Sequence, residues 1–308
     1  MPYPLPEKLV QTILGVHGQK GEQWLREFDE LLAHCEQKWS LQVQAPPSPY
    51  PLSFNFVAPV RFEDGREAVL KLSVPSKESV TELSALRLYQ GRGMVQWLDA
   101  DLGRGILLIE KLQPGKTLKS IQDDEEATRI AAQVMRRLKT PAPASSVFPS
   151  VADWAQGLKK LRLHFNGGTG PMPEDMVAKA EARYQELLSS VSTLQLLHGD
   201  LHHENILSAA REPWLAIDPK GVIGEAEYEV ISFLMNHLPE AEQHRDLIIQ
   251  RRAELFAQEL NLNPRRVYAW GYCHAILSAW WCIESQTGGM ENSLHAAARF
   301  DRLLHLAT

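Results

Sequence analysis

The chain reads as an α+β protein of two lobes, a small antiparallel-sheet lobe followed by a larger helical one. Three observations predict this. Residues 39–110 carry short apolar runs with strand-like alternation, and Asp64-Gly65 sits between two of them as a hairpin turn. Beyond residue 120, apolar residues recur at the three- and four-residue intervals of helices. One stretch interrupts that pattern: the apolar Leu196-Leu197, a polar loop, Ile206-Leu207, a turn at Glu212-Pro213, and then Trp214 to Ile217 as a returning strand.

A chain of 308 residues can bury a full-sized core in one large domain or two lobes. The division is expected at 1–112 and 113–308. A formal charge of −6 gives no electrostatic case for nucleic acid or an anionic membrane as partner, and it leaves carboxylates for a cationic one. Cys35, Cys273 and Cys282 form no CxxC pair and read as free thiols of a reducing compartment. The start lacks a basic region followed by an apolar run, and no apolar stretch approaches the roughly 20 residues a bilayer needs. A cytoplasmic protein acting on a small molecule is expected, as a monomer or a dimer.

In chain order, residues 6–38 read as two helices, the second with Trp24, Leu25, Phe28, Leu31, Leu32 and Cys35 on one face. Trp39 to Ala45 alternates as a strand, and the prolines of 46–51 force an extended loop. Phe56 to Phe62 and Ala68 to Ser73 are the strands of the Asp-Gly hairpin. Lys71 lies inside the second, in Ala68-Val69-Leu70-Lys71-Leu72, where an ammonium is costly unless it meets an anion. A helix from Ser79 to Gln90 carries Glu82, and strands at Val95–Leu98 and Gly105–Ile109 complete a sheet of five. Glu110 to Gly115 closes the lobe, with backbone groups near Glu110 and Leu112 placed to meet a planar heterocycle such as adenine. Acids at 123–126 open a helix, where its dipole favours them. Further helices are expected at about 151–165, 174–190, 229–238, 240–260, 265–283 and 292–306.

The hairpin carries the chemistry. In His198-Gly199-Asp200-Leu201-His202-His203-Glu204-Asn205, Asp200 and Asn205 are five apart, and Asp218 follows at the exit of the second strand. A carboxylate, an amide and a second carboxylate held together suit phosphoryl transfer: one takes the proton of the attacking hydroxyl, and two hold Mg²⁺ on nucleotide phosphates. Two other readings compete. Asp and Asn also favour plain turns, which leaves the carboxylate at the exit unexplained. His198, His202 and His203 could instead be metal ligands of a hydrolase, although Gly199 disfavours the helix that the His198–His202 spacing would need.

The order of strand lysine, helix glutamate, linker, helical lobe, loop and second carboxylate resembles the protein-kinase-like fold, and within it the aminoglycoside phosphotransferases. The chain is similar above all to the group of streptomycin 6-phosphotransferases and hydroxyurea-resistance kinases, over nearly its whole length. The likeness is carried by Ala85-Leu86-Arg87-Leu88-Tyr89, by Gly105-Ile106-Leu107-Leu108-Ile109-Glu110-Lys111-Leu112-Gln113-Pro114-Gly115, by the loop from His198 to Leu207, and by Ile217-Asp218-Pro219-Lys220-Gly221-Val222-Ile223-Gly224. His-Gly-Asp points to small-molecule kinases, and Asp-Pro-Lys discriminates this group.

The resemblance implies ATP and Mg²⁺ as cofactors, Asp200 as base, Asn205 and Asp218 as metal ligands, and Lys71 braced by Glu82 on the phosphates. No Gly-x-Gly-x-x-Gly loop is present, so backbone amides with Ser53 or Asn55 would cradle the phosphates. The implied acceptor is a hydroxylated cation of the streptomycin type, in an antibiotic-resistance role. Glu225, Glu227, Glu229, Glu284 and His202 are the candidate contacts to it. A metabolic kinase for a sugar or amino alcohol is the rival enzyme, and a nucleotide-binding pseudokinase the rival outside catalysis. The aromatic cluster Trp270, Tyr272, Trp280 and Trp281 reads as helix-packing core.

Overall fold

A computed structural model describes the chain apart from Met1, Pro2, residues 45–49, Pro51, Ser145, Ser146, Thr287 and Thr308. It divides into two units, residues 1–115 and 116–308. The expected proline loop at 46–51 falls almost wholly outside the described residues.

The first unit opens with three helices rather than two: α1 (Glu7–His17), α2 (Gln19–Arg26) and α3 (Phe28–Trp39). Gly18, with φ 51°, breaks the first from the second, and Glu27 breaks the second from the third. Thus Trp24 and Phe28 lie on consecutive helices, yet both still reach the core. The antiparallel sheet has five strands in the order β1-β2-β3-β5-β4: β1 (Leu41–Val43), β2 (Phe56–Phe62), β3 (Glu67–Leu72), β4 (Trp97–Asp101) and β5 (Ile106–Glu110). Alternate residues Phe56, Ala58, Val60, Ala68, Leu70, Leu72, Ile106 and Leu108 face one side and pack with the apolar faces of the three helices. Phe28 meets Phe56 edge-on at 5.0 Å.

Helix α4 (Lys77–Tyr89) starts at Ser76, whose Oγ accepts the Ser79 N–H, and it carries Glu82. Strand β4 begins two residues later than expected and runs through Asp99 to Asp101. A 3-10 turn at Leu102–Arg104 closes the hairpin, and Asp99 is kept in the strand by the Trp39 indole N–H, 2.7 Å away.

From β6 (Pro114–Thr117) the chain enters the second unit. There α5 (Asp124–Leu138) is capped by Asp123, which accepts the N–H groups of Glu125 and Glu126. Strand β7 (Thr140–Pro141) follows, then α6 (Val151–His164) with a Ser150–Asp153 capping box, and α7 (Glu174–Ser189). Strand β8 (Gln195–Leu197) leads into the hairpin of β9 (Ile206–Ala209) and β10 (Trp214–Ala216). Strand β11 (Val222–Gly224), unanticipated from sequence, returns to pair with β8, Val222 opposite Leu197 and Gly224 opposite Gln195.

The helix expected at 229–238 is two short ones, α8 (Ala226–Glu229) and α9 (Ile231–Met235). Tyr228 to Leu234 are all buried, so there is no single apolar stripe for one amphipathic helix to present. Helices α10 (Glu242–Leu260), α11 (Pro264–Glu284) and α12 (Met290–Leu306) complete the unit. Helix α11 forms its centre, with Val267, Trp270, Tyr272, Ala275, Ile276, Leu277 and Trp280 buried. Its start is set by Asn263, which accepts the Arg265 N–H, and by Pro264 at the first helical position. Among the described residues no helix is long and apolar enough to cross a membrane.

Candidate active site

In the first unit Lys71 is 8% exposed, which excludes a solvated lysine. Its neighbours across the sheet are Val57 and Leu107. The ammonium lies 2.7 Å and 2.9 Å from the two oxygens of Glu82, so the helix glutamate makes a bidentate partner. Ser53 and Asn55 stand half-buried in the bend before β2, with Phe54 exposed between them. The Glu110 N–H donates to the Gln96 carbonyl at 2.8 Å and its carboxylate accepts the Gln96 N–H. That N–H is therefore engaged within the sheet lobe, and the Glu110 carbonyl is the backbone group there that could meet a heterocycle. Leu112, two residues on, is buried.

In the second unit the loop between β8 and β9 is locked from below. His198 is fully buried. Its Nδ1 accepts the Asp200 N–H at 3.2 Å, which puts the ring proton on Nε2, and Nε2–H donates to the Ile217 carbonyl at 2.8 Å. Burial pulls its pKa down to about 4, so the ring is neutral. With both nitrogens engaged it cannot serve as a metal ligand. His203 is buried as well, stacked on Phe233 at 3.9 Å. No cluster of three or more His, Cys, Asp or Glu side chains fit to hold a metal exists among the described residues. The hydrolase reading thereby loses its ligand set.

Gly199 has φ 81°, and a Cβ there would stand 2.8 Å from Val222 and 3.3 Å from Trp154, so the turn demands glycine. Asp200 follows, half-buried at the mouth of the loop. Its carboxyl pKa is raised, mainly by burial with the nearby Asp218 charge adding to it, against the pull of His202 and Lys220. Asn205 donates from Nδ2 to the Asp200 carbonyl at 2.8 Å, and its own carbonyl accepts the Ile217 N–H at 2.9 Å. These two bonds tie Asp200, Asn205 and the residue before Asp218 into one frame. The Nδ2 bond also sets the amide so that Oδ1 is the atom left as lone-pair donor to a cation. Asp218 has φ 61°, a conformation rare for a residue with a side chain and one that clusters at functional sites. His202 sits between the groups: Nε2 is 3.9 Å from an Asp200 oxygen and 3.3 Å from Asn205 Nδ2.

Two of the four acids expected to meet an acceptor do something else. Glu229 is buried and turned inward: Oε2 accepts the His198 N–H at 2.7 Å and Oε1 the Gly199 N–H at 3.2 Å. It positions the loop, and burial lifts its pKa to about 7 against those two hydrogen bonds. Glu225 is likewise buried, clamped by Arg266 through two 2.8 Å bonds and by the Trp270 indole N–H. Both corrections share one cause. The β8–β11 pairing draws α8 beneath the loop, so a charge cluster that resembles a solvated face is folded inside. Glu227 is half-buried and accepts the Asn263 N–H at the start of α11, while Glu284 is exposed. Nothing in the residue spacing marked Glu229 as the loop's support.

Residues 41–286 match the family described as aminoglycoside/hydroxyurea antibiotic resistance kinase. The chain belongs to this family. It is 30% identical over 300 residues to the streptomycin 6-kinase of Streptomyces glaucescens, covering 93% of each chain. It is 31% identical over 293 residues to the hydroxyurea phosphotransferase of Kitasatospora aureofaciens, covering 91% of this chain and 80% of that one. Among solved structures it resembles aminoglycoside phosphotransferase APH(4)-Ia in a ternary complex with ADP and hygromycin B, at a TM-score of 0.63 and 14% identity, over 90% of this chain and 98% of that one. The choline kinase LicA of Streptococcus pneumoniae is similar at a TM-score of 0.62 and 14% identity, over 90% and 99% of the two chains. These two likenesses establish the protein-kinase-like fold. As a member of the resistance-kinase family, the protein is a phosphotransferase of the aminoglycoside-kinase type with an alcohol group as acceptor.

Proposed function

We propose that this kinase moves the γ-phosphate of ATP to a hydroxyl of a small cationic acceptor in the cytoplasm, with a streptomycin-like aminocyclitol the first candidate. The observation that supports the reading is the hydrogen-bonded frame of Asp200, Asn205 and Ile217, which holds a carboxylate, an amide and the residue before Asp218 on one short hairpin. Its relatives' names supply the acceptor class.

Asp200 accepts the proton of the attacking hydroxyl through a carboxylate oxygen and orients that hydroxyl for attack. Asn205 Oδ1 and the Asp218 carboxylate are hard oxygen donors, the kind Mg²⁺ takes, and they would hold it. When bound, the ion supplies neutralisation of the negative charge on the transferring phosphoryl group. Lys71, kept in place by Glu82, would hold the phosphate oxygens of the nucleotide, with Ser53, Asn55 and neighbouring amides beside them. Leu112 would lie against the adenine. His198 and Glu229 fix the loop from behind and take no part in proton transfer.

The test is incubation of the protein and Mg·ATP with streptomycin, hydroxyurea and a set of neutral sugars, with products read by mass spectrometry. Phosphorylated streptomycin is expected. Product from neutral sugars alone, with none from a cationic acceptor, would replace the resistance reading by a metabolic kinase.

A further inference from the structure

Two of the three tryptophans on α11 are core: Trp270 is 1% exposed and Trp280 3%. Trp281 departs from them and from the expectation for the cluster, since it is half-buried. It meets the half-buried Trp154 of α6 edge-on, with centroids 5.5 Å apart at 88°. Beneath this pair lie the buried Tyr228 and His274, joined by a 2.7 Å bond from the Tyr228 hydroxyl to Nδ1. Trp281 is 5.7 Å from the His274 ring and Trp154 is 6.1 Å from the Tyr228 ring. The four rings pack as one cluster, with Tyr228 and His274 buried and the two indoles half-buried at its surface.

The indole pair adjoins the loop that carries Asp200. Trp154 Cη2 stands 3.3 Å from where a Cβ on Gly199 would be, and Gly199 is the residue before Asp200. Gly157, one turn along α6, lets that helix come so close to α11 that a Cβ there would lie 2.6 Å from Leu277 and 3.3 Å from Trp280. This close approach fixes Trp154 against Trp281. Partly exposed indoles beside a base are what a ligand ring can cover, and an indole face attracts a guanidinium or ammonium group.

One turn beyond Trp281, Glu284 is exposed and makes no ion pair among the described residues, unlike Glu225. At i, i+3 spacing it shares a helix face with Trp281. With Lys160, His164 and Trp280 it also lines an open depression of about 680 Å³, which Trp154 and Trp281 do not line, so its link to the indole pair is the shared helix face.

We propose that Trp154 and Trp281 form the acceptor platform, on which a guanidinium- or ammonium-bearing ring lies with its reacting hydroxyl at Asp200, and that Glu284 anchors a second cationic group. The proposal rests on the reading of Asp200 as the base. It assigns acceptor specificity to two indoles and one carboxylate rather than to Glu225 and Glu229.

Calorimetric titration of streptomycin into the full chain with Mg²⁺ and a non-hydrolysable ATP analogue tests it. Trp281→Leu and Trp154→Leu should each raise the streptomycin Kd by about tenfold, the loss expected when a desolvated cation–π contact is removed. Trp281→Phe, which keeps a ring, should lose less. Glu284→Gln should weaken streptomycin and leave a neutral sugar unaffected. Should Trp154→Leu fail to fold, Trp281→Phe and Glu284→Gln, both at exposed or half-exposed positions, carry the test. Kd values unchanged within twofold across the variants would overturn the platform. So would a parent protein that binds neutral sugars as tightly as streptomycin, or binds no streptomycin. The base assignment fails separately: Asp200→Asn turning over at the parent rate would remove it whatever the titrations give.

Discussion

Glu229 holds His198 by its backbone, the carboxylate Oε2 taking the His198 N–H at 2.7 Å while Oε1 takes that of Gly199. Removing the carboxylate strands the buried His198 N–H, at about 1–3 kcal/mol, and the half-buried Gly199 N–H at less. Glu229→Ala should lower the Tm and reduce kcat by about ten- to a hundredfold, the scale of a small misplacement near the chemistry. Both KM values should change little, because Glu229 touches neither substrate. A variant with raised acceptor KM and parental kcat would return Glu229 to the acceptor site.

The same carboxylate gives a pH signature. Its folded pKa, about 7, lies above the ordinary 4.5, so its contribution to stability is complete below pH 4.5 and is lost as pH rises through about 7. His198 and His274, lowered to about 4 by burial, and His203, lowered to about 2, work in the opposite sense. Their contribution is complete above the ordinary 6.5 and is lost as pH falls. Three histidines outweigh one glutamate, so the Tm should fall between pH 7 and pH 5. In Glu229→Gln the offsetting carboxylate is gone, so the fall should be steeper. Thermal melts across that window would show it, and an equal or shallower fall would contradict the assignment.

Gly199→Ala should nearly abolish turnover. The substitution adds a Cβ at φ 81°, 2.8 Å from Val222, and the turn that delivers Asp200 cannot absorb both. Parent-like kcat in a folded Gly199→Ala protein would show that the turn is not needed.

Much of this site was legible because its parts are local. Asp200, Asn205 and Asp218 lie on one short hairpin, whose turn and strands are readable from apolar spacing and Glu212-Pro213. Lys71 stood out as a charge in an apolar strand, and the family resemblance implied Glu82 as its partner, which the structure places against it. The misread acids depend on a long-range pairing. Which way Glu225 and Glu229 turn is decided when β11 joins β8, and neighbouring sequence carries no trace of that register. Trp280 and Trp281 are adjacent in sequence, yet Trp280 is buried where Gly157 lets α6 close over it and Trp281 is only half-buried against Trp154. The break after α1 came from a single glycine inside an otherwise helical pattern.

Lys71→Ala should raise the nucleotide KM and lower kcat, and Glu82→Ala should give a milder form of the same defect. The 2.7 Å and 2.9 Å contacts make the pair one unit, so the double variant should lose less than the two single losses combined. Strict additivity of the free-energy changes would show that the two act independently.

The most direct test of the account is single-turnover phosphoryl transfer by Asp200→Asn. The amide keeps the shape of the carboxylate and cannot take the hydroxyl proton, so the transfer rate should fall by about 10²–10⁴-fold while the nucleotide still binds. Transfer at the parent rate would contradict the assignment of Asp200 as the base on which the site is built.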